Sequence, residues 1–183
     1  MSDPRITPLL TPQPALRGCT RLVSRAIRLE ALPEGHVIQV LGTPDAPLAM
    51  ERLSPLSDGM PQAVRAAGPG QWFIVGDRAK THAELADLFA ALQPEAFGVD
   101  QSAGRVRIRA SGPMVERMLA KGTAADLAVS RFPVGDATTT LIGHIAAHIT
   151  RVGDEAFEIM VLRGFAQSLW DDLARMSAAF LED

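Results

Sequence analysis

Between residues 105 and 110 the side chains alternate without a break. Arg105, Arg107 and Arg109 take one parity, and Val106, Ile108 and Ala110 take the other. Successive side chains on a strand point to opposite faces, so the three arginines share one face and the apolar residues share the other. This is the pattern of a strand with one face on a core. The arginine face has two readings. It is solvated, the ordinary place for charge, or it meets a partner, because the planar guanidinium fork pairs with carboxylates and buries well in interfaces. Either reading puts Arg105, Arg107 and Arg109 outside the core and makes them the candidate partner surface.

The balance of charge bears on that choice. The chain has 183 residues, 18 basic and 21 acidic, for a formal net charge of −3. A dedicated nucleic-acid binder carries a strongly basic field, so no nucleic-acid partner is expected. Cys19 is the single cysteine, which excludes an internal disulfide and a thiolate metal cluster. No segment approaches the roughly 18 apolar residues of a spanning helix, and the N-terminus lacks the apolar run of a signal peptide. A soluble, cytoplasmic protein without a membrane partner is the expectation.

Pro4, Pro8, Pro12 and Pro14 forbid a stable helix at the start, so residues 1–18 read as an extended arm. Residues 19–183 read as one domain. Within it, residues 20–32 have mixed periodicity and no assigned element. Residues 35–41 read as a strand ending at Gly42, and residues 44–53 as a short helix with Thr43 as N-cap and Pro44 early. The stretch 54–70 is rich in Pro and Gly and reads as loop. WFIV at 72–75 is an apolar strand. Thr81 and Glu84 form a capping box that opens a helix with an inner stripe of Leu85, Leu88, Phe89 and Leu92.

Two strands follow at 96–101 and 105–110. Gly112-Pro113 starts a helix facing inward through Val115, Met118 and Leu119 and ending at Gly122. Residues 138–151 form one long strand, or two bent at Gly143, and a turn at Gly153-Asp154 returns the chain into a strand at 156–161. Phe165, Leu169, Leu173, Met176 and Phe180 step along one side of a final helix, with Trp170 at its edge. Strands, hairpins and helices mixed in this way predict α+β, with antiparallel or mixed sheets and packed helices.

The familiar catalytic signatures are missing. GPGQWFIVG at 68–76 precedes a strand, whereas a dinucleotide fingerprint follows one and opens a helix. His144 and His148 are four apart, but on a strand that step separates them by roughly 13 Å, too far for one metal. Asp171 and Asp172 read as the solvated side of the last helix, and Asp100 and Asp126 as turn and cap residues. Cys19 lies near Arg17 and Arg21 without a partner histidine and reads as a structural thiol. No catalytic, cofactor-binding or metal-ligating residue is assigned.

The second half of the chain carries a resemblance. VDQSAGRVRIRASGP at 99–113, MLAKGTAADL at 118–127, RFPVGDATTTLIGHI at 131–145 and VLRGFAQSLWDDL at 161–173 occur in that order, preceded by GPGQWFIV at 68–75. The series resembles the gamma subunit of heterotetrameric sarcosine oxidase over about residues 30–180. The small subunit of N-methylglutamate dehydrogenase is similar and is not separated by these motifs. More distantly, the pattern is similar to the folate-binding fold of the glycine-cleavage T-protein. That relative has a catalytic acid on the strand before the late hairpin turn, where Ile145 and Ala146 stand here, anchored on Arg151.

The resemblance implies a non-catalytic structural subunit, with alpha, beta and delta subunits as partners. FAD, FMN, NAD, tetrahydrofolate and zinc are expected on those other chains and none on this one. The implied reaction of the assembly is the oxidative demethylation of sarcosine to glycine, with the one-carbon unit passed to tetrahydrofolate or released as formaldehyde. The alternatives are a subunit of N-methylglutamate dehydrogenase or a stand-alone folate-binding protein. An RNA-modifying relative of the folate fold would call for a basic balance, which −3 does not provide.

Overall fold

The computed structural model describes residues 13–43 and 50–181. Among the described residues ten strands form two antiparallel sheets that pack face to face. The first sheet holds β1 (Leu22–Val23), β2 (Arg28–Ala31), β7 (Arg105–Ser111), β8 (Ala137–Ile142), β9 (Ile145–Gly153) and β10 (Ala156–Leu162), in the order β1-β2-β7-β10-β9-β8. The second holds β3 (His36–Gly42), β4 (Val64–Gly68), β5 (Gln71–Gly76) and β6 (Ala96–Asp100), in the order β4-β5-β3-β6. Helices cover the two outer faces, so the α+β class expected from the sequence is the class observed.

The outer face of the first sheet carries Val106, Ile108, Ile159 and Val161. They pack on α3 (Val115–Leu119) and α4 (Ala166–Ser177) through Met118, Leu119, Leu169 and Leu173. The outer face of the second sheet carries Ile38, Val40, Trp72 and Ile74, which pack on Leu88 and Leu92 of α2 (His82–Leu92). Period-two alternation accounts for both faces. The capping box at α2 is formed as expected. The Thr81 hydroxyl accepts from the Glu84 N–H at 3.2 Å, and the Glu84 carboxylate accepts from the Thr81 N–H at 2.7 Å.

Gly112 joins β7 to α3. Its φ is +118°, and a Cβ there would lie 2.4 Å from the Ala26 carbonyl oxygen, so only glycine lets the chain turn from β7 into α3 beside β2. Gly143, at φ +58°, makes the tight turn between β8 and β9, so of the two expected forms, one long strand or two bent at Gly143, the structure has two, paired as a hairpin.

Several expectations change. Residues 64–68, read as loop, form β4, because Val64 and Ala66 pair with Ile74 and Trp72 while Arg65 finds a carboxylate across the sheets. The inner stripe of α4 is wider than the expected one, with Met176 and, just past the helix, Phe180 packed partly buried against the same core. Ala166, Leu169, Trp170 and Leu173 are buried, whereas Phe165 precedes the helix and is 53% exposed. The helix expected at 44–53 is described only as α1 (Met50–Leu53); Thr43 is described, and Pro44 lies outside the described residues. The expected arm is likewise outside them up to residue 12. Beyond that, the Arg17 N–H donates to the Pro14 carbonyl at 3.2 Å, and Leu16 is buried against the first sheet.

Candidate functional site: a charged layer between the sheets

The register of the first sheet sets Arg105 opposite Leu162, Arg107 opposite Met160 and Arg109 opposite Glu158. Residues directly paired across antiparallel strands share a face. β9 adds His148 and Thr150 to the same face, paired with Met160 and Glu158. This face looks at the second sheet rather than at water. Its apolar contact across the gap is small, consisting of Met160 against Val37, Phe73 and Val75. The rest of the layer is polar.

Glu158 is its centre, 2% exposed. Its carboxylate accepts from Arg65 of β4 at 2.5 Å, from Arg109 at 2.5 Å and from Arg107 at 3.4 Å. Arg107 is 4% exposed and reaches further, donating to Asp77 at 2.5 Å and to the Gly76 carbonyl at 2.9 Å. The expectation that all three arginines lie outside the core therefore fails at Arg107. Alternation correctly separated the faces, but the face opposite the apolar one is covered by a second sheet of the same chain. Burial tends to raise the Glu158 carboxyl, and the Arg65, Arg109 and Arg107 guanidiniums outweigh it, holding the group below its ordinary value.

Sequence reasoning missed Arg65 and Glu158. The available signal was one charged residue centred in an otherwise apolar strand, Glu158 within AFEIMV, with an opposite charge on another strand. Burial of a lone charge demands such a partner.

At the other end of the layer, His148 is 2% exposed. Its ring meets Phe73 edge-on at 5.2 Å, and its Nδ1 is 3.2 Å from the Thr139 hydroxyl. Burial, then the charges of Arg65 and Arg105, lower its pKa to about 4, so the ring is neutral at pH 7. Arg105 lies with its guanidinium 4.8 Å from the centroid of Phe73. His144 sits in the hairpin turn and is exposed, away from His148 on β9. Among the described residues no group of three or more His, Cys, Asp or Glu side chains is placed to hold a metal.

Arg151 is fully buried on the opposite face of β9. It donates to the Phe132 carbonyl at 2.6 Å and to Glu116 at 2.6 Å, and it also meets the carbonyls of Leu127 and Asp154. It ties the segment after α3 to the sheet. The other sequence candidates take structural places. Asp100 accepts from the Ser102 N–H at 2.9 Å, Asp126 from the Ala128 N–H at 3.1 Å, and Asp172 pairs with Arg175. The Cys19 thiol is 3.4 Å from the Gln167 side-chain oxygen. Ile145 is buried and Ala146 exposed at the start of β9, so neither offers an acid where a T-protein-like fold would call for one.

No match is found among curated protein sequences. Among solved structures, the chain is similar to a chain of the heterotetrameric sarcosine oxidase from Corynebacterium sp. U-96 in complex with pyrrole 2-carboxylate. The TM-score is 0.73 and the identity 22%, over 89% of this chain and 90% of that one. It is also similar to the glycine cleavage system aminomethyltransferase T from Bartonella henselae, with TM-score 0.57 and identity 19%, over 79% of this chain and 44% of that one. Both likenesses describe the fold. The family is identified by a model, the sarcosine oxidase gamma subunit family, that matches residues 37–179 and so spans all but the first residue of β3, the strands β4 to β10, the charged layer and the whole of α4, leaving out β1 and β2. The chain belongs to the sarcosine oxidase gamma subunit family.

Proposed function

We propose that the chain works as the gamma subunit of a multi-subunit amine-oxidising complex, holding the assembly together rather than reacting with substrate. The observation that carries this reading is the family match over residues 37–179. The geometry agrees with a scaffold, because the charged side chains of the buried layer are mostly engaged with one another. Glu158 is shared by Arg65, Arg107 and Arg109, and Arg107 also pairs with Asp77, which leaves no poised acid, base or nucleophile among them.

On this reading the alpha, beta and delta subunits are the partners, and FAD, FMN, NAD, tetrahydrofolate and zinc reside on them. Tetrahydrofolate does not fit this chain, because Ile145 and Ala146 supply no carboxylate on β9. The site of action is the cytoplasm, and sarcosine is the amine. The test is to co-express the chain with the other subunits, purify the complex and assay sarcosine against N-methylglutamate. The expected result is co-purification in fixed stoichiometry, sarcosine turnover and a colourless isolated chain. A stoichiometric flavin spectrum on the isolated chain, or a wild-type chain that never joins the complex, overturns the proposal.

A further inference from the structure

Four arginines point into the layer between the sheets, and three have carboxylates. Arg65, Arg107 and Arg109 share Glu158, and Arg107 also has Asp77. Arg105 has none within ion-pair distance among the described residues. Its Nε donates to the Gln101 side-chain oxygen, and its ring-like plane rests on Phe73, which leaves both terminal nitrogens without an acceptor. The contact to Gln101 is one link of a relay, Gln101 to Gln39 and Gln39 to Gln71, whose role is to hold the guanidinium in one orientation. Those nitrogens are open to water, so a guanidinium held in one orientation is presented to an incoming anion.

The same place holds a cavity of about 260 Å³, lined by Arg105, His148, Gln39, Gln71, Thr139 and Leu162 among others. The His148 Nε2 is buried there without a partner. Its Nδ1 faces the Thr139 hydroxyl, so the second ring nitrogen is left without a protein partner at the Arg105 end of the layer. A larger cavity, about 400 Å³, lies at the other end of the layer. There Arg28 and Arg109 are matched by Glu30 and Glu158, so the want of a carboxylate belongs to the Arg105 end alone.

The mouth of that end is apolar. Leu162 is 49% exposed and lines the cavity, and Leu141, at 55%, pairs with the lining residue Ala146. Val99 pairs with Gln39, and Phe97 with Leu41 next to it. Both lie on β6, an edge strand of the second sheet, at 42% and 61% exposure. A small molecule filling the cavity leaves this rim wet, whereas a protein segment covers it.

The geometry points to Arg105 as the receptor for a carboxylate side chain of a partner subunit, seated between the sheets while apolar residues flanking it cover Leu162, Leu141, Val99 and Phe97. Charge complementarity chooses the occupant. A planar guanidinium fork matches a carboxylate with two parallel hydrogen bonds, and the apolar rim surrounds that pair and keeps water out. The inference rests on the subunit reading above and narrows the candidate partner surface from three arginines to one.

The experiment is assembly of the co-expressed complex, read as the Kd of the tagged gamma chain for the remaining subunits. Four chains are compared: wild type, Arg105→Gln, Leu162→Glu and the exposed control Arg117→Gln. Leu162→Glu sits at an exposed position and offers Arg105 a carboxylate from its own chain, so it blocks the site without emptying the core. Circular dichroism of each isolated chain checks that it is folded. The expected result is a rise in Kd of tenfold or more for Arg105→Gln and Leu162→Glu, with Arg117→Gln unchanged. Wild-type affinity in both variants overturns the inference, and failure of the wild type to assemble overturns the subunit reading instead. Micromolar binding of free propionate to the isolated wild-type chain, lost in Arg105→Gln, assigns the cavity to a small carboxylate and removes the partner from it.

Discussion

Replacing Glu158 by Gln keeps the shape of the side chain and removes its charge. Three guanidiniums then face one another across the sheets, with Arg65 and Arg107 nearly inaccessible to water and Arg109 about one-third exposed. Arg107 retains Asp77, but Arg65 keeps only the Gln62 carbonyl at 2.8 Å. Removing one member of a buried ion pair costs about 3–5 kcal/mol, because the remaining charge stays desolvated. The exposed edge of Arg109 allows partial hydration, which places the cost toward the lower end. For a domain of this size that corresponds to a fall in Tm of roughly 6–20 °C. The assay is thermal and urea unfolding of the isolated chain, with exposed Glu51→Gln as control. A loss no larger than the control, within about 0.5 kcal/mol as for a surface site, would show that water enters the layer and that the sheets do not depend on the network.

Acid should unfold the protein in two steps of different origin. His148 titrates near the ordinary imidazole value of about 6.5 when unfolded and at about 4 when folded, so the unfolded state binds the extra proton between those limits. Stability is therefore full above pH 6.5 and falls by up to about 3 kcal/mol as the pH drops toward 4, and His148→Phe should flatten that slope. Glu158 is held below its ordinary value, so its contribution is present above about pH 4 and is lost as pH falls through the folded value, a lower window that His148→Phe leaves intact. Arg151→Met should cost about 3–5 kcal/mol, since Glu116 and the carbonyls of Phe132, Leu127 and Asp154 lose their donor together. Hydrogen exchange should then speed up over residues 127–136 before it does in α2, and uniform acceleration across the chain would argue that Arg151 is not a local tie.

What the sequence disclosed and what it withheld divide along physical lines. Local signals were legible. Thr81 and Glu84 announced the capping box, the parity of residues 105–110 announced β7, and Val115, Met118 and Leu119 announced the inner face of α3. Each depends on residues within one turn or one strand. The site was withheld because it is made of pairings far apart in the chain. Arg65 and Glu158 are 93 residues apart, and nothing local tells a strand's polar face that another sheet will cover it. β4 was hidden for the same reason, since Pro61, Gly68, Pro69 and Gly70 bracket it with turn signals while its pairing with β5 is a tertiary fact. The change at the start of α4 has a simpler origin. Phe165 kept the helical spacing but falls before the first turn, so Trp170 takes the buried place.

The polar layer also accounts for how one fold supports a docking role. Sheets that pack through large apolar faces are held by non-directional contacts, which tolerate sliding. Here, among the described residues, such contact comes from Met160, Val37, Phe73 and Val75 with Ala67 beside them, and the relative position of the sheets is set by the directional bonds of Glu158 and Arg107. Closed charge pairs at one end fix the distance between the sheets at the other, where Arg105 and His148 stand on one sheet and Phe73 and Gln39 on the opposite one. An arginine held this way has already lost most of its rotamer freedom, so a carboxylate that meets it spends little binding free energy on ordering the receptor. On the proposed subunit reading the arginine-rich strand has two functions along its length: Arg107 and Arg109 hold the protein to itself, and Arg105 is left over for another chain.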